Sequence, residues 1–501
     1  MPEALPAAGS ARSLPSWCVI GAGPSGLAAL KNLRAAGLAA ECLERESDVG
    51  GNWCFGSPTS RVFASTRLIS SKSLTQFLDH PMPRAFPAYP DHRQCLDYLR
   101  SYVRRFDLAP HIRLGTAVER VEPAEGGGWL VHAGGTARHH AGVVIANGHN
   151  HVPRWPAIPG TCSGTLLHAA DYKSPAQPVT LAGRSVLVIG GGNSGCDIAV
   201  EVSRHAARAV HSTRRGYHVV PREVLGRPVD LRGERLLKMG VPLWLRRLVS
   251  LRAIDRTIGR PRRHGLPEPD HRLWETHPVI NSELYERIDA GALGVAGDVA
   301  AFDGDTVVFT DGHREAFDVV ICATGYRVAL PFIDARLLGA DEPDGLPRLF
   351  LNLLHPARDD IAVVGLIQPD SGQWGITDLQ SRLVARMAVA ARENPRAAAW
   401  LYARRQRPAD APPMRYVDSP RHALEVEHFT YRRRLERLVA GMDRRLRRAV
   451  ASQPTVHLSA RTAAGDSRPP ERSTISATAP LSATTGVVPT AKVEATAPAA
   501  G

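Results

Sequence analysis

Two short glycine-rich turns hold the residues of this chain best suited to chemistry. "GAGPSG" at 21–26 and "GGGNSG" at 190–195 each follow an apolar run of strand length and open a helical pattern. Gly21, Gly23 and Gly26 in the first, and Gly190, Gly192 and Gly195 in the second, occupy the positions of a dinucleotide fingerprint. In it one glycine makes the tight turn, one lets backbone approach a pyrophosphate, and one lets the helix pack close to the strand. The helix N-terminus then offers free N–H groups and the positive end of its dipole to phosphate. Pro24, Ser25, Asn193 and Ser194 lie in those first turns.

The strand after each turn sorts the two. The strand after the first ends at Glu44, where a carboxylate accepts hydrogen bonds from a ribose and repels a 2′-phosphate. This end suits an unphosphorylated adenosine, as in FAD or NAD. The strand after the second ends in Ser212, Thr213, Arg214 and Arg215, with no acid at that point, and guanidinium groups pair with phosphate. The second site is therefore expected to take NADPH. A lone fingerprint is weak evidence; two with opposite charge at the ribose ends are not. One fold would keep a flavin while the other brings the reductant, so that hydride passes from nicotinamide to flavin.

The elements that must position these turns alternate strand-length apolar runs with longer helical stretches. That pattern predicts an α/β fold with two Rossmann-like dinucleotide-binding domains. The expected boundaries are an FAD-binding first part over 15–165, an NADPH-binding domain over 166–325 with an insertion at about 222–292, and a return to the FAD domain with C-terminal helices over 326–450. The ends, 1–14 and 452–501, are too poor in apolar residues to offset ordering entropy, so a disordered tail is expected. With 501 residues, 44% of them hydrophobic and 22% charged, the chain can bury substantial cores. Seven scattered cysteines form no C-x-x-C pair, which points to reduced thiols, no metal and a cytoplasmic compartment. There is no apolar run of about 20 residues and no signal-peptide layout, so no transmembrane segment is expected. The net charge of +13 comes mostly from dispersed arginines and suits anionic cofactors; no nucleic-acid partner is expected. Oligomeric state, with a homodimer among the options, stays open.

Several motifs together make the chain resemble the flavin-containing monooxygenases, the class B single-component enzymes. "GAGPSGL" with "CLERESDVGGNW" is similar to the family's FAD-binding opening; "HAADYKSP" before the second turn, "ICATGY" and "GLIQPDSGQW" match further landmarks. The identifying motif is present as Cys162, Gly164, His168 and Tyr172, with Cys in place of its leading Phe. The resemblance implies that Glu44, Gly51, Asn52 and Trp53 line FAD, and the expected cofactor set also takes in Arg45, Val118 and Gln373. It implies that reduced flavin meets dioxygen, forms a hydroperoxide and passes one oxygen atom to a small nucleophilic nitrogen or sulfur compound or to a carbonyl. His168, Tyr172, Ser70 and Ser71 are the candidate catalytic side chains, the flavin carrying the chemistry; His168 is expected to shape the domain junction rather than to act as acid or base. Where N- and S-oxygenating members have Asn, Ile69 stands here. That departure keeps two alternatives in view: an NADPH oxidase or flavin reductase releasing peroxide, and a redox sensor without turnover. Ser25 and Ser194 have no His/Asp arrangement for hydrolysis. The basic stretch 243–263 is expected to pack on the second domain, an anionic membrane surface being the other possibility, and 432–450 reads as an amphipathic closing helix.

Overall fold

The structure, a computed structural model, describes residues 16–340, 346–407, 416–417 and 422–451. The expectations for 1–14 and the tail from 452 lie outside the described residues.

Each glycine turn sits at the carboxyl end of the middle strand of a five-stranded parallel sheet. The first sheet runs Ile361–Val363, Gly142–Ile145, Trp17–Ile20, Ala40–Leu43, Ile112–Arg113. The second runs Thr165–His168, Val319–Cys322, Ser185–Ile189, Arg208–Ser212, Gly294–Ala296. The runs WCVI and GVVI are buried at every position, because helices cover one face of the sheet and the meander described below covers the other. From Trp17–Ile20 the chain moves to one neighbour, Ala40–Leu43, and only later adds Gly142–Ile145 on the other side. The turn therefore lies where strand order reverses, the place at which open α/β sheets bind ligands.

The helices Pro24–Ala35, His92–Arg105, Trp374–Glu393, Pro395–Arg405 and His428–Ala451 share one core, to which Leu27, Leu30, Leu99, Leu383, Leu435 and Met442 contribute. A second core joins helix Asn193–Val202 to the second sheet through Val186, Val188, Ile198 and Ile321. Three antiparallel strands, Val118–Pro123, Trp129–Ala133 and Thr136–His140, form a separate meander.

The inserted region contains the helices Val229–Lys238 and Leu243–Thr257. Leu266, Val279, Leu284 and Tyr285 of this region are part of the second core, and Ile258, from the basic stretch 243–263, packs against it. Ile254 is the one buried residue of the second helix, and Trp244 is 67% exposed. Ile254 joins Val220, Leu273 and Ile280 in a small cluster, against which Ile69 from the first unit packs. The Ser71 N–H donates to Asp230 Oδ2 at 2.7 Å, and the Tyr89 hydroxyl donates to the Arg222 carbonyl. The insertion thus shares its core with the second sheet and touches the flavin side through Ile69, Ser71 and Tyr89.

Helix Pro24–Ala35 crosses helix Trp374–Glu393 over buried charge. Asp378 accepts from Lys31 Nζ and Asn32 Nδ2, each at 2.8 Å, and is ion-paired with Arg382 at 2.8 Å, while Lys31 also meets Asp79 at 2.6 Å. A buried pair adds little over apolar packing, but removing one partner strands the other. Asp378→Ala should therefore lower unfolding stability by about 3–5 kcal/mol. Urea titration of parent and variant checks this, and a loss below about 1 kcal/mol, the worth of an exposed pair, would show that the network does not tie these helices.

Candidate functional site

The first turn is built by the absence of side chains. Gly21 has φ +99°, and a Cβ there would lie 2.8 Å from the Ala146 carbonyl oxygen; a Cβ on Gly26 would lie 1.7 Å from the Gly21 oxygen. Helix Pro24–Ala35 thus starts against the strand end. Its N-cap is Gly23, with no side-chain cap, and Pro24 stands at its start, so the first-turn N–H groups remain for a ligand. Gly51, at φ +55°, faces Gly23 so closely that a Cβ would come within 3.1 Å of the Gly23 Cα.

Glu44 lies beside this turn and is 5% exposed. Its Oε2 accepts from the Ala22 N–H at 2.5 Å and its Oε1 from the Glu46 N–H at 3.0 Å. The carboxylate holds the turn, and each oxygen keeps a lone pair for a hydroxyl donor. Arg45 points outward. The Thr116 N–H donates to the Glu44 carbonyl at 2.7 Å, which brings the start of the meander, with Val118, to the same end. At the other end Gln373 Nε2 donates to the carbonyls of Gly365 and Ile367, at 3.2 and 2.9 Å. Gly365 abuts Ser25, where a Cβ would lie 2.2 Å from the Ser25 Oγ. Trp53 stands edge-on to Trp374 with ring centres 5.7 Å apart, next to the exposed Asn52.

The second turn repeats the geometry. A Cβ on Gly190 would lie 2.4 Å from the Ala323 oxygen, and one on Gly195 1.9 Å from the Gly190 oxygen. Helix Asn193–Val202 begins at Gly192 without a side-chain cap. Ser194 is exposed. The Asn193 amide is occupied, donating to the Pro278 carbonyl at 3.1 Å and accepting from the Ile280 N–H at 2.7 Å, so the residue offers a ligand its backbone. The Ser212 hydroxyl likewise donates to the Gly297 carbonyl at 2.6 Å. The two arginines part company. Arg215 is paired with Asp270 at 2.6 Å, whereas Arg214 is exposed and has no hydrogen-bond or ion-pair partner among the described residues.

The four candidate catalytic side chains do not form one constellation. His168 ends its strand fully buried, and its Nδ1 accepts from the Ala170 N–H at 3.0 Å, which leaves the proton on Nε2. Burial pushes its pKa down, so the ring is neutral, between Trp155 and Tyr326 at 5.4 and 5.5 Å. Tyr172 donates its hydroxyl to Glu201 at 2.8 Å and packs on Phe63; burial, and then the Glu201 charge, push the phenol well up. Ser70 shares a hydrogen bond of 2.8 Å with Thr75, and Ser71 meets the insertion at Asp230. No hydrogen bond joins the first pair to the second among the described residues. Sequence reading missed Tyr217, whose ring covers Gly191 so tightly that a Cβ would lie 2.5 Å from it, with its hydroxyl 2.8 Å from His211 Nε2. The extra glycine in "GGGNSG" was the available signal.

Both turns fit a dinucleotide pyrophosphate: glycine cradles that a Cβ would fill, and helix starts that no side chain caps. Among the described residues no helix is long and apolar enough to cross a membrane, and no His, Cys, Asp and Glu group suits a metal.

The comparisons agree with this geometry. The model of the flavin-binding monooxygenase-like family matches residues 16–456. Mouse (Mus musculus) flavin-containing monooxygenase 5 is 33% identical over 439 residues, 82% of this chain and 80% of that protein. Rabbit (Oryctolagus cuniculus) dimethylaniline monooxygenase [N-oxide-forming] 2 is 32% identical, over 74% of this chain and 72% of that one. Among solved structures, steroid monooxygenase bound to NADP superposes with a TM-score of 0.64 at 19% identity, over 85% of this chain and 98% of the other. The S-allyl-L-cysteine S-oxygenase of Allium sativum gives 0.57 at 19% identity, over 89% and 94%. The chain belongs to the flavin-binding monooxygenase-like family, and is a monooxygenase that uses FAD and NADPH.

Proposed function

We propose that this chain adds one oxygen atom of dioxygen to the nitrogen or sulfur of a small nucleophile, consuming NADPH. The observation that carries the assignment of sites is the sorting of charge: the buried carboxylate of Glu44 at one turn and, at the other, the guanidinium of Arg214, without a partner among the described residues. The N-oxide-forming and S-oxygenase names of two of the similar proteins support the choice of nitrogen and sulfur.

Bound FAD supplies the redox chemistry, accepting hydride from NADPH and activating dioxygen. The chain's part is to bind, orient and keep the site dry. Gly21, Gly23, Gly26, Pro24, Ser25 and Gly51 shape the flavin pyrophosphate cradle; Glu44 accepts the ribose hydroxyls, with Arg45 and Val118 at the adenine end. Asn52, Trp53 and Gln373 wall the opposite end. Gly190, Gly192, Gly195, the Asn193 N–H and Ser194 hold the second pyrophosphate. Arg214 binds the 2′-phosphate, flanked by Ser212 and Arg215. His168, neutral and buried, fixes the junction of the units, and Tyr172 pins helix Asn193–Val202 through Glu201. Ser70 and Ser71 set the loop between the flavin side and the insertion. A cytoplasmic location, which suits seven free cysteines, belongs to the same proposal.

A second reading rests on Ile69. Its side chain packs on the cluster of Val220, Ile254, Leu273 and Ile280 and offers no hydrogen bond, which favours partial release of hydrogen peroxide.

Three outcomes test these readings. Purified protein should be yellow, with a flavin band near ~450 nm, and should consume NADPH faster when tertiary amines or sulfides are added, with oxygenated product formed. Colourless protein that FAD cannot reconstitute would end the proposal, and peroxide equal to NADPH across the whole substrate panel would favour the oxidase. Arg214→Ala should weaken NADPH by about 1.5–3 kcal/mol while leaving NADH nearly unchanged; Arg215→Ala should do less, and equal losses for both cofactors would refute the role of Arg214. Gly23→Val should abolish FAD binding with the fold retained by circular dichroism; normal flavin content would place the cofactor elsewhere.

A further inference from the structure

Beside the stretch that carries Gln373, three carboxylates are held together by backbone. The two-residue strand Gln368–Pro369 pairs in parallel with Glu425–Val426, which sets Asp370 next to Glu427. Asp370 Oδ1 accepts from the His428 N–H at 2.9 Å. Glu427 accepts from the Phe429 and Thr430 N–H groups, at 3.1 and 2.8 Å, at the start of the last helix. The Glu425 side chain is fully buried; its Oε2 lies 3.3 Å from His277 Nδ1, and its Oε1 has no hydrogen-bond partner among the described residues.

Few cations face this acid. From the insertion come Arg246, whose Nε is buried without a hydrogen-bond partner among the described residues, and His277; from the segment before the last helix comes the buried hydroxyl of Tyr416, likewise without a partner there and close to all three carboxylates. His428 is buried and neutral, its pKa pushed down to about 4 by desolvation. Asp370 as a residue is only half-buried, yet its carboxyl is ringed by these groups. Desolvation, and after it the Glu427 charge, raise that carboxyl to about 7, against the opposing pull of the His428 N–H and His277.

The segment it governs reaches the first turn. Gln373, three residues on, bonds the Gly365 carbonyl, and Gly365 abuts Ser25. Gly372 is pressed on the Leu74 carbonyl, where a Cβ would lie 2.2 Å away, next to Ser70 and Ser71.

We propose that Asp370 is a proton-controlled positioning residue: its neutral carboxyl lets the return stretch lie against the Glu425–His428 segment, and its ionisation loosens that join and the wall that Gln373 makes. Linkage gives the sign. A carboxyl whose pKa is higher in the folded state contributes stability that is present below its unfolded value, near ~4, and lost as pH rises through its folded value. The join should therefore weaken between about pH 4 and 7. The device is independent of the substrate, and only its effect on turnover rests on the flavin reading.

The test is hydrogen–deuterium exchange of the FAD-loaded protein from pH 5.5 to 8.5, corrected for intrinsic rates, followed in peptides covering 366–373 and 424–430, with the pH profile of NADPH turnover beside it. The parent should show increasing exchange with an inflection near 7. Asp370→Asn, permanently neutral, should hold the low-pH exchange across the range and flatten the turnover profile there. Glu425→Gln, which removes a like charge, should move the inflection down. An inflection unchanged in soluble Asp370→Asn would overturn the proposal; if that variant does not accumulate, an unmoved inflection in Glu425→Gln would do so. Because exchange is read without oxygenation, failure here leaves the proposed reaction standing, and failure of that reaction leaves the exchange result intact.

Discussion

The carbonyl oxygen of Gly21 occupies the space that a Cβ on Gly26 would need, and Gly190 stands in the same relation to Gly195. Each helix can start directly over its strand end only because the last residue of the turn has no side chain. That closeness aims the uncapped first-turn N–H groups at the opening above the sheet, where a pyrophosphate can reach them. The surroundings of the two turns then differ in charge, with the Glu44 carboxylate beside one and Arg214 and Arg215 beside the other.

Glu44 shows how one side chain can serve structure and recognition together. By accepting the Ala22 and Glu46 N–H groups it satisfies donors that the tight turn would otherwise leave buried, and it places negative charge where a 2′-phosphate would be repelled. At the second turn the division of labour runs between neighbours. Asp270 neutralises and holds Arg215, while Arg214 has no partner for its donors among the described residues. A paired guanidinium must give up a partner to bind phosphate; a free one need not.

The insertion packs its apolar residues into the second core and a small cluster beside it, whereas its fastenings to the rest are few and mostly polar: Ile69 on that cluster, Asp230 on the Ser71 N–H, Arg222 on Tyr89, and His277 with Arg246 at the acidic patch around Asp370. Polar and ionic fastenings of that kind respond to pH in a way that close-packed hydrocarbon does not. The Lys31–Asp378 network on the far side of the first turn is different in kind, because its charges are mutually paired within one core.

Local features were legible without coordinates. The two glycine spacings, the acid after one strand and the arginines after the other are written within about 25 residues of each turn, and the structure builds both glycine turns at those spacings. The likeness of several separate motifs to one family gave the cofactors and the reaction class, which the family match supports. Chemistry within a pair of identical residues was not legible: Arg214 and Arg215 are adjacent and equivalent in sequence, and only Asp270, 55 positions away from Arg215, separates them. The occupied side chains of Asn193 and Ser212, the cover that Tyr217 lays over Gly191, and the meeting of Asp370 with Glu427 and His277 were equally hidden. Sequence determined the two cradles because each is made by consecutive residues; tertiary structure decided which polar groups around them remain free, because their partners arrive from distant strands and helices that no local spacing announces.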